Sequence, residues 1–171
     1  MFEIIPIDDR CRGFVDKQVA KSWAGPFCVS RGVMYDTRDN PGFVAAPDLS
    51  AAPDLSAADS GEFIGYILYN IANAECEIVI LESLRERQGV GGALIKAVME
   101  VAREAGCRRI WLITSNDNTP AIRFYQRFGF SLKAVHIGAM NEARELKPQI
   151  PLLGVDGIKM EHEFEFEISI T

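Results

Sequence analysis

Between Glu75 and Thr114 the chain runs strand, helix, strand, and this order constrains the fold more than any other feature. Glu75-Cys76-Glu77-Ile78-Val79-Ile80-Leu81 reads as a strand that enters a short charged turn. Gly89, Gly91 and Gly92 follow. Leu94, Ala97, Val98, Val101, Ala102 and Ala105 then mark one face of a helix that Gly106 ends. Arg109 to Thr114 is a further strand, apolar enough to be buried on both faces. A helix between two strands predicts a βαβ unit, hence an α/β fold with a parallel pair.

The glycines allow a sharp backbone turn and close approach to a ligand. The helix behind them points unpaired N–H groups and its positive dipole end into that turn. Such a turn suits a phosphate or pyrophosphate. A P-loop would need Gly-Lys-Ser/Thr, but Ala93 and Leu94 follow the glycines. A dinucleotide fingerprint would need a third glycine where Leu94 stands, and it belongs to a first βα turn rather than a mid-chain one.

The surrounding chain reads as strands and short helices. Phe2 to Ile7 is a strand, placed at an edge because Pro6 cannot donate to a ladder. Asp8 or Asp9 caps a helix over about Arg10 to Trp23, and Phe27 to Tyr35 is a strand broken by Gly32. Ser30-Arg31-Gly32 is expected to be structural, with a substrate contact as the alternative. Asp36 to Gly61 carries a tandem repeat, Ala45-Ala46-Pro47-Asp48-Leu49-Ser50 and Ala51 to Ser56, too short for a solenoid. It is expected to be a mobile insertion between strands of one domain spanning 1–171. Phe63 to Tyr69 pairs as a hairpin with Glu75 to Leu81, where alternation places Glu75, Glu77, Val79 and Leu81 on one face. Asn118-Thr119-Pro120 begins a helix with Ala121, Phe124, Tyr125 and Phe128 at helical spacing. Phe130 to Met140 is a strand, Asn141 to Leu146 a short helix, and Gln149 to Ile158 a loop. Met160 to Ile170 alternates apolar residues with Glu161, Glu163, Glu165 and Glu167, a row expected to face solvent or, alternatively, to form an acidic rim that attracts a cationic amine.

Composition excludes several classes. A formal charge of −6 argues against a nucleic-acid partner. No apolar run reaches the roughly 20 residues of a membrane span, and the N-terminus lacks a signal-peptide pattern. Cys11, Cys28, Cys76 and Cys107 show no metal-ligand spacing, so no metal is expected and they read as buried reduced thiols of a cytoplasmic protein.

Two motifs, in order and at the right separation, carry a family resemblance. Arg87-Gln88-Gly89-Val90-Gly91-Gly92-Ala93-Leu94 is similar to the acyl-CoA pyrophosphate loop of the GNAT superfamily of N-acetyltransferases. Asn118-Thr119-Pro120-Ala121-Ile122-Arg123-Phe124-Tyr125-Gln126-Arg127-Phe128-Gly129-Phe130 is similar to that family's NxxAxxFYxxxGF segment. The resemblance covers about Glu62 to Phe130. It implies a mixed, mostly antiparallel sheet of six to seven strands with a parallel splayed pair and flanking helices. It also implies acetyl-CoA as co-substrate and a small-molecule or peptide amine as acceptor.

Carried over residue by residue, the resemblance implies that amides around Arg87, Gln88, Gly89, Val90, Gly91 and Gly92 hold the pyrophosphate. Backbone groups at Val79 and Leu81 would pair with the pantetheine arm, and an amide near Leu81 would face the developing oxyanion. Tyr125 matches the tyrosine that protonates the departing thiolate, and Asn118 a cofactor-contacting asparagine that could equally be a helix cap. Glu75 and Glu77 are the candidate bases; the family's alternative on the next strand is absent, since that position is Ile113. Glu86 departs from the family's usual Arg or Gln, with Arg85 and Arg87 able to compensate. The leading expectation is transfer of an acetyl group to a primary amine in a ternary complex. The rival is a non-catalytic acyl-CoA-binding or sensor module of the same fold. A homodimer through the C-terminal strand is plausible.

Overall fold

The computed structural model describes residues 2–47, 63–85 and 87–170. Strand β1 (Phe2–Pro6) leads into helix α1 (Asp9–Ser22), capped by the Asp8 carboxylate, which accepts from the Arg10 amide at 3.0 Å. The stretch expected as one strand is instead a hairpin of β2 (Phe27–Ser30) and β3 (Val33–Asp36). Arg31 and Gly32 take φ of 50° and 72°, the paired positive values that let a two-residue turn follow strand twist.

The stretch expected to be a mobile insertion from Asp36 onward is regular structure as far as Pro47. Thr37–Asp39 is a 3-10 turn, and β4 (Gly42–Pro47) pairs with β1 on one side and β5 on the other. Val44, Ala45 and Ala46 are fully buried there, so the first three residues of the repeat belong to the sheet. The remainder of both repeat copies lies outside the described residues.

β5 (Gly65–Ala72) and β6 (Glu75–Ser83) form the central hairpin, followed by α2 (Val90–Glu104), β7 (Arg109–Ser115) and α3 (Thr119–Phe128). β8 (Ser131–His136) is shorter than expected, because α4 (Ala139–Leu146) already starts after Gly138 at φ 78°. β9 (Glu163–Ser169) completes a seven-stranded sheet in the order β1-β4-β5-β6-β7-β9-β8. β6 and β7 run parallel and the other neighbours antiparallel. β1 sits at an edge, as Pro6 requires. β9 is paired on both sides, by β7 and β8, so it offers no edge for a dimer to extend.

Two apolar layers hold the sheet. One packs Cys76, Ile78, Ile110, Leu112 and Phe166 against α2 and α3; the other packs Tyr66, Leu68, Val79 and Ile80 against α1 and the β2–β3 hairpin. β7 therefore buries Ile110, Leu112 and Thr114 fully, while its other face is only half-buried.

Two irregularities of β6 create the site. Leu68 pairs with Ile80 but Tyr69 pairs with Ile78, leaving Val79 as an extra residue. This bulge breaks the expected alternation: Glu77 and Val79 face the α1 side, whereas Leu81 turns to the α2 side. In addition, β6 and β7 pair only from Glu75↔Arg109 to Ile78↔Leu112. Beyond that point the two strands part.

Candidate active site

The parting strands open a cleft of about 390 Å³. Its floor is Glu77, Ile78 and Val79 of β6, with Ile113, Thr114 and Ser115 of β7 opposite. The β2 strand closes one side through Cys28, Val29 and Ser30. The segment after α4 closes the other through Lys147, Ile150, Gly154 and Val155. In a parallel pair, both following helices start at this same end, so the N-termini of α2 and α3 converge there.

Glu77 is 3% exposed. Ser30 Oγ donates to its Oε1 at 2.6 Å and the Tyr35 hydroxyl donates to its Oε2 at 2.8 Å. Burial raises its pKa above the ordinary carboxylate range, and the two donors only partly offset that shift. The Tyr35 phenol is pushed up to about 12 by burial and by the carboxylate it faces. Glu75, the other candidate base, does not line the cleft. Arg109 bonds it at 2.9 Å and holds its pKa below the usual range, so it behaves as an ion-pair partner rather than a proton acceptor.

The β9 glutamates are not a solvated row. Glu163 and Glu165 are 2% and 4% exposed because the β2–β3 turn lies over them. The Arg31 amide donates to Glu163 Oε2 at 3.2 Å, while the Arg31 guanidinium stacks 5.3 Å over Trp111. Arg109 gathers Glu75, Glu165 and Glu167 at 2.9, 3.0 and 2.7 Å, forming a network beside the cleft.

The glycine turn has two functions. Arg87 and Gly89 take φ of 60° and 78°, and Gly89 leaves α2 without a side-chain cap. Its first amides thus remain open to an anion. Gly91 instead serves packing, since a Cβ there would lie 3.1 Å from the Phe124 ring, whereas at Gly92 it would meet Phe128 at an ordinary 3.7 Å. Gln88 is exposed, and Val90 is buried in the α2 layer. Glu86 lies outside the described residues. Asn118 caps α3, accepting from the Ala121 amide at 3.3 Å, and also lines the cleft.

Tyr125 packs among Phe124, Phe130 and Phe166, and burial raises its pKa. Its hydroxyl has no hydrogen-bond partner among the described residues, yet it is not one of the enclosed unsatisfied polar atoms. The ring is therefore fixed by its aromatic neighbours.

Sequence reasoning missed the strap over residues 147–160. Arg144 donates to the carbonyls of Pro151 and Met160 at 2.7 and 2.6 Å, and Lys147 donates to those of Trp23 and Phe27. Asp117 Oδ2 accepts from the Val155 amide at 2.9 Å, and Asn116 Nδ2 donates to the Lys159 carbonyl at 2.8 Å. Glycines and prolines there read only as a loop. The buried strand glutamates were likewise hidden, since alternation shows a second face without showing what covers it. The Arg31-Gly32 turn, with Ser30 paired to Val33 across it, was the signal that could have located the hairpin.

Comparison with known proteins agrees with this fold. The sequence model described as "Acetyltransferase (GNAT) family" matches residues 22–130. The chain is 38% identical over 167 residues to the uncharacterized protein YdhI of Bacillus subtilis (strain 168), covering 97% of each chain. Arabidopsis thaliana NAA60 in complex with acetyl-CoA superposes with a TM-score of 0.68 at 17% identity, covering 99% of each chain. A Bacillus subtilis acetyltransferase in complex with CoA superposes with a TM-score of 0.64 at 14% identity over the whole of both chains. No described helix is long and apolar enough to cross a membrane.

Proposed function

The chain belongs to the GNAT acetyltransferase family, and on that premise we propose that it is an acetyl-CoA-dependent N-acetyltransferase acting on an amine in the β6–β7 cleft. The observation that carries this reading is Glu77: a buried carboxylate with raised proton affinity, fixed by Ser30 and Tyr35 at the floor of an open cleft. An ammonium cannot attack a carbonyl, so the acceptor must lose a proton first. A carboxylate whose pKa is drawn upward is suited to that task, directly or through water.

The residues around the cleft fit coenzyme A. Acetyl-CoA supplies the acetyl thioester on which the amine nitrogen forms its new bond. The open amides from Gly89 through Gly92 hold the pyrophosphate, assisted by the dipole of the 15-residue helix α2 and by Arg85 and Arg87. The edge of β6 from Val79 to Leu81, which β7 leaves unpaired, accepts the pantetheine arm as an added strand. An amide at this bulged stretch faces the oxygen where charge develops. Tyr125 donates its hydroxyl proton to the departing sulfur, and Asn118 adds a cofactor contact to its cap role.

The test is release of free thiol from acetyl-CoA by the purified protein, with and without a panel of primary amines, together with mass spectrometry of the amine. Amine-dependent thiol release with a matching acetylated product is expected. Calorimetric CoA binding without turnover on any amine would instead identify an acyl-CoA-binding or sensor module.

A further inference from the structure

Two cations stand behind one side of the cleft, and both direct their hydrogen bonds to backbone. Lys147, the sole cation among the described residues lining the cleft, is buried and donates to the carbonyls of Trp23 and Phe27. Arg144 of α4 donates to the carbonyls of Ile150, Pro151 and Met160 at 3.3, 2.7 and 2.6 Å. Neither forms an ion pair among the described residues. They act as struts that fix the end of α1 and the segment after α4 around the cavity, not as receptors for an anion.

The residues so fixed are apolar. Trp23, Ile150, Pro151 and Met160 line the cleft together with Val29 of β2 and Val155. Trp23 and Val155 remain 38% and 36% exposed. A continuous apolar wall left open to a cavity, beside a few placed polar groups, is the form of a small-molecule site. The carboxylates that line the same cleft are already engaged. Ser30 Oγ donates to Glu77 and the adjacent Arg31 amide to Glu163, so these two stand over neighbouring residues of the β2–β3 turn. Asp117 accepts from the Val155 amide. Thr114, Ser115, Asn118 and Gln149 contribute only neutral polar groups. An acceptor carboxylate would therefore meet negative charge and no available cation.

Resting on the acetyl-transfer reading, we propose that the acceptor is a monoamine with an uncharged, apolar body. Its nitrogen lies toward Glu77 and the thioester, and its alkyl or aryl body packs on the wall of Trp23, Val29, Ile150 and Met160. Each methylene placed on that wall leaves water and strengthens binding. A second charge on the body would have to give up its hydration against apolar side chains.

The experiment measures kcat/KM by thiol release for n-alkylamines from ethylamine to hexylamine, for α,ω-diaminoalkanes and for ω-amino acids of matched length. The natural protein is compared with Ile150→Ser. Each added methylene should raise kcat/KM by about three- to fourfold until the wall is covered. Diamines and ω-amino acids should fall about tenfold or more below the alkylamine of equal length, and Ile150→Ser should flatten the rise with chain length. No rise with length, a diamine or amino acid preferred to its alkylamine, or a slope that Ile150→Ser leaves unchanged overturns the apolar acceptor. Calorimetry of the same alkylamines on CoA-saturated protein separates this outcome from failure of the catalytic reading. Affinity that grows with chain length without turnover upholds the apolar wall and rejects acetyl transfer, whereas turnover independent of chain length does the reverse. Neither binding nor turnover of any alkylamine overturns both.

Discussion

The Tyr35 hydroxyl donates to Glu77 Oε2 at 2.8 Å, tying the β2–β3 hairpin to the floor of the cleft. A donor to a carboxylate stabilises its charged form, so this bond holds the Glu77 pKa lower than burial alone would. Tyr35→Phe should therefore move the acid limb of the pH–rate profile upward by about one pH unit. An unmoved limb would detach Tyr35 from the acid–base step.

Gly154 faces Asp117 so closely that a Cβ would sit 1.8 Å from Oδ2. Gly154→Ala must push the strap off the loop before α3 and break the bond to the Val155 amide. A loss of about 1–3 kcal/mol in stability is expected, with a raised acceptor KM. An unchanged thermal midpoint and KM would mean that the strap does not shape the acceptor site.

Arg109 is the hub for Glu75, Glu165 and Glu167. Its removal leaves Glu165, 6% exposed at the side chain, with contacts only to Arg31 and His136 among the described cations. Arg109→Met should cost about 1–3 kcal/mol at neutral pH, between a surface pair and a buried network. Arg109 lowers the pKa of Glu75 and Glu167 in the folded state, so this stabilisation is present above their unfolded pKa values and lost as pH falls through the folded ones. The difference in thermal midpoint between the two proteins should accordingly shrink in acid.

The sequence was most informative where local chemistry decides structure. Asp8, Pro6, the Gly89 turn and the cap at Asn118 each act within a few residues, and each stands where its chemistry predicts. The cleft depends on relations that no local pattern carries. The Val79 bulge turns Leu81 away from Glu77 because of how β5 pairs, not because of anything in β6 alone. Glu163 looks like the solvent side of an amphipathic strand until the distant Arg31 turn covers it. Gly91 resembles a ligand-approach glycine, yet it makes room for Phe124, more than 30 residues away in the chain. Long-range packing, not propensity, decides those positions.

Tyr125 offers a clean separation of packing from chemistry. Its ring is wedged among three aromatic neighbours while its hydroxyl has no hydrogen-bond partner among the described residues. Tyr125→Phe should leave the thermal midpoint and CoA affinity nearly unchanged and lower kcat by about 10²-fold. Full activity in that variant would sink the assigned role.

The most direct test is the pH dependence of acetyl transfer by Glu77→Gln, using the best acceptor from the amine panel and following free thiol. The natural protein should lose activity as pH falls through the raised Glu77 pKa, because the protonated carboxyl cannot accept the amine's proton. The glutamine variant should be slower by about 10²-fold at neutral pH and should lack that limb. A variant that keeps both the natural rate and the natural limb would show that the buried carboxylate at the floor of the cleft is not the base.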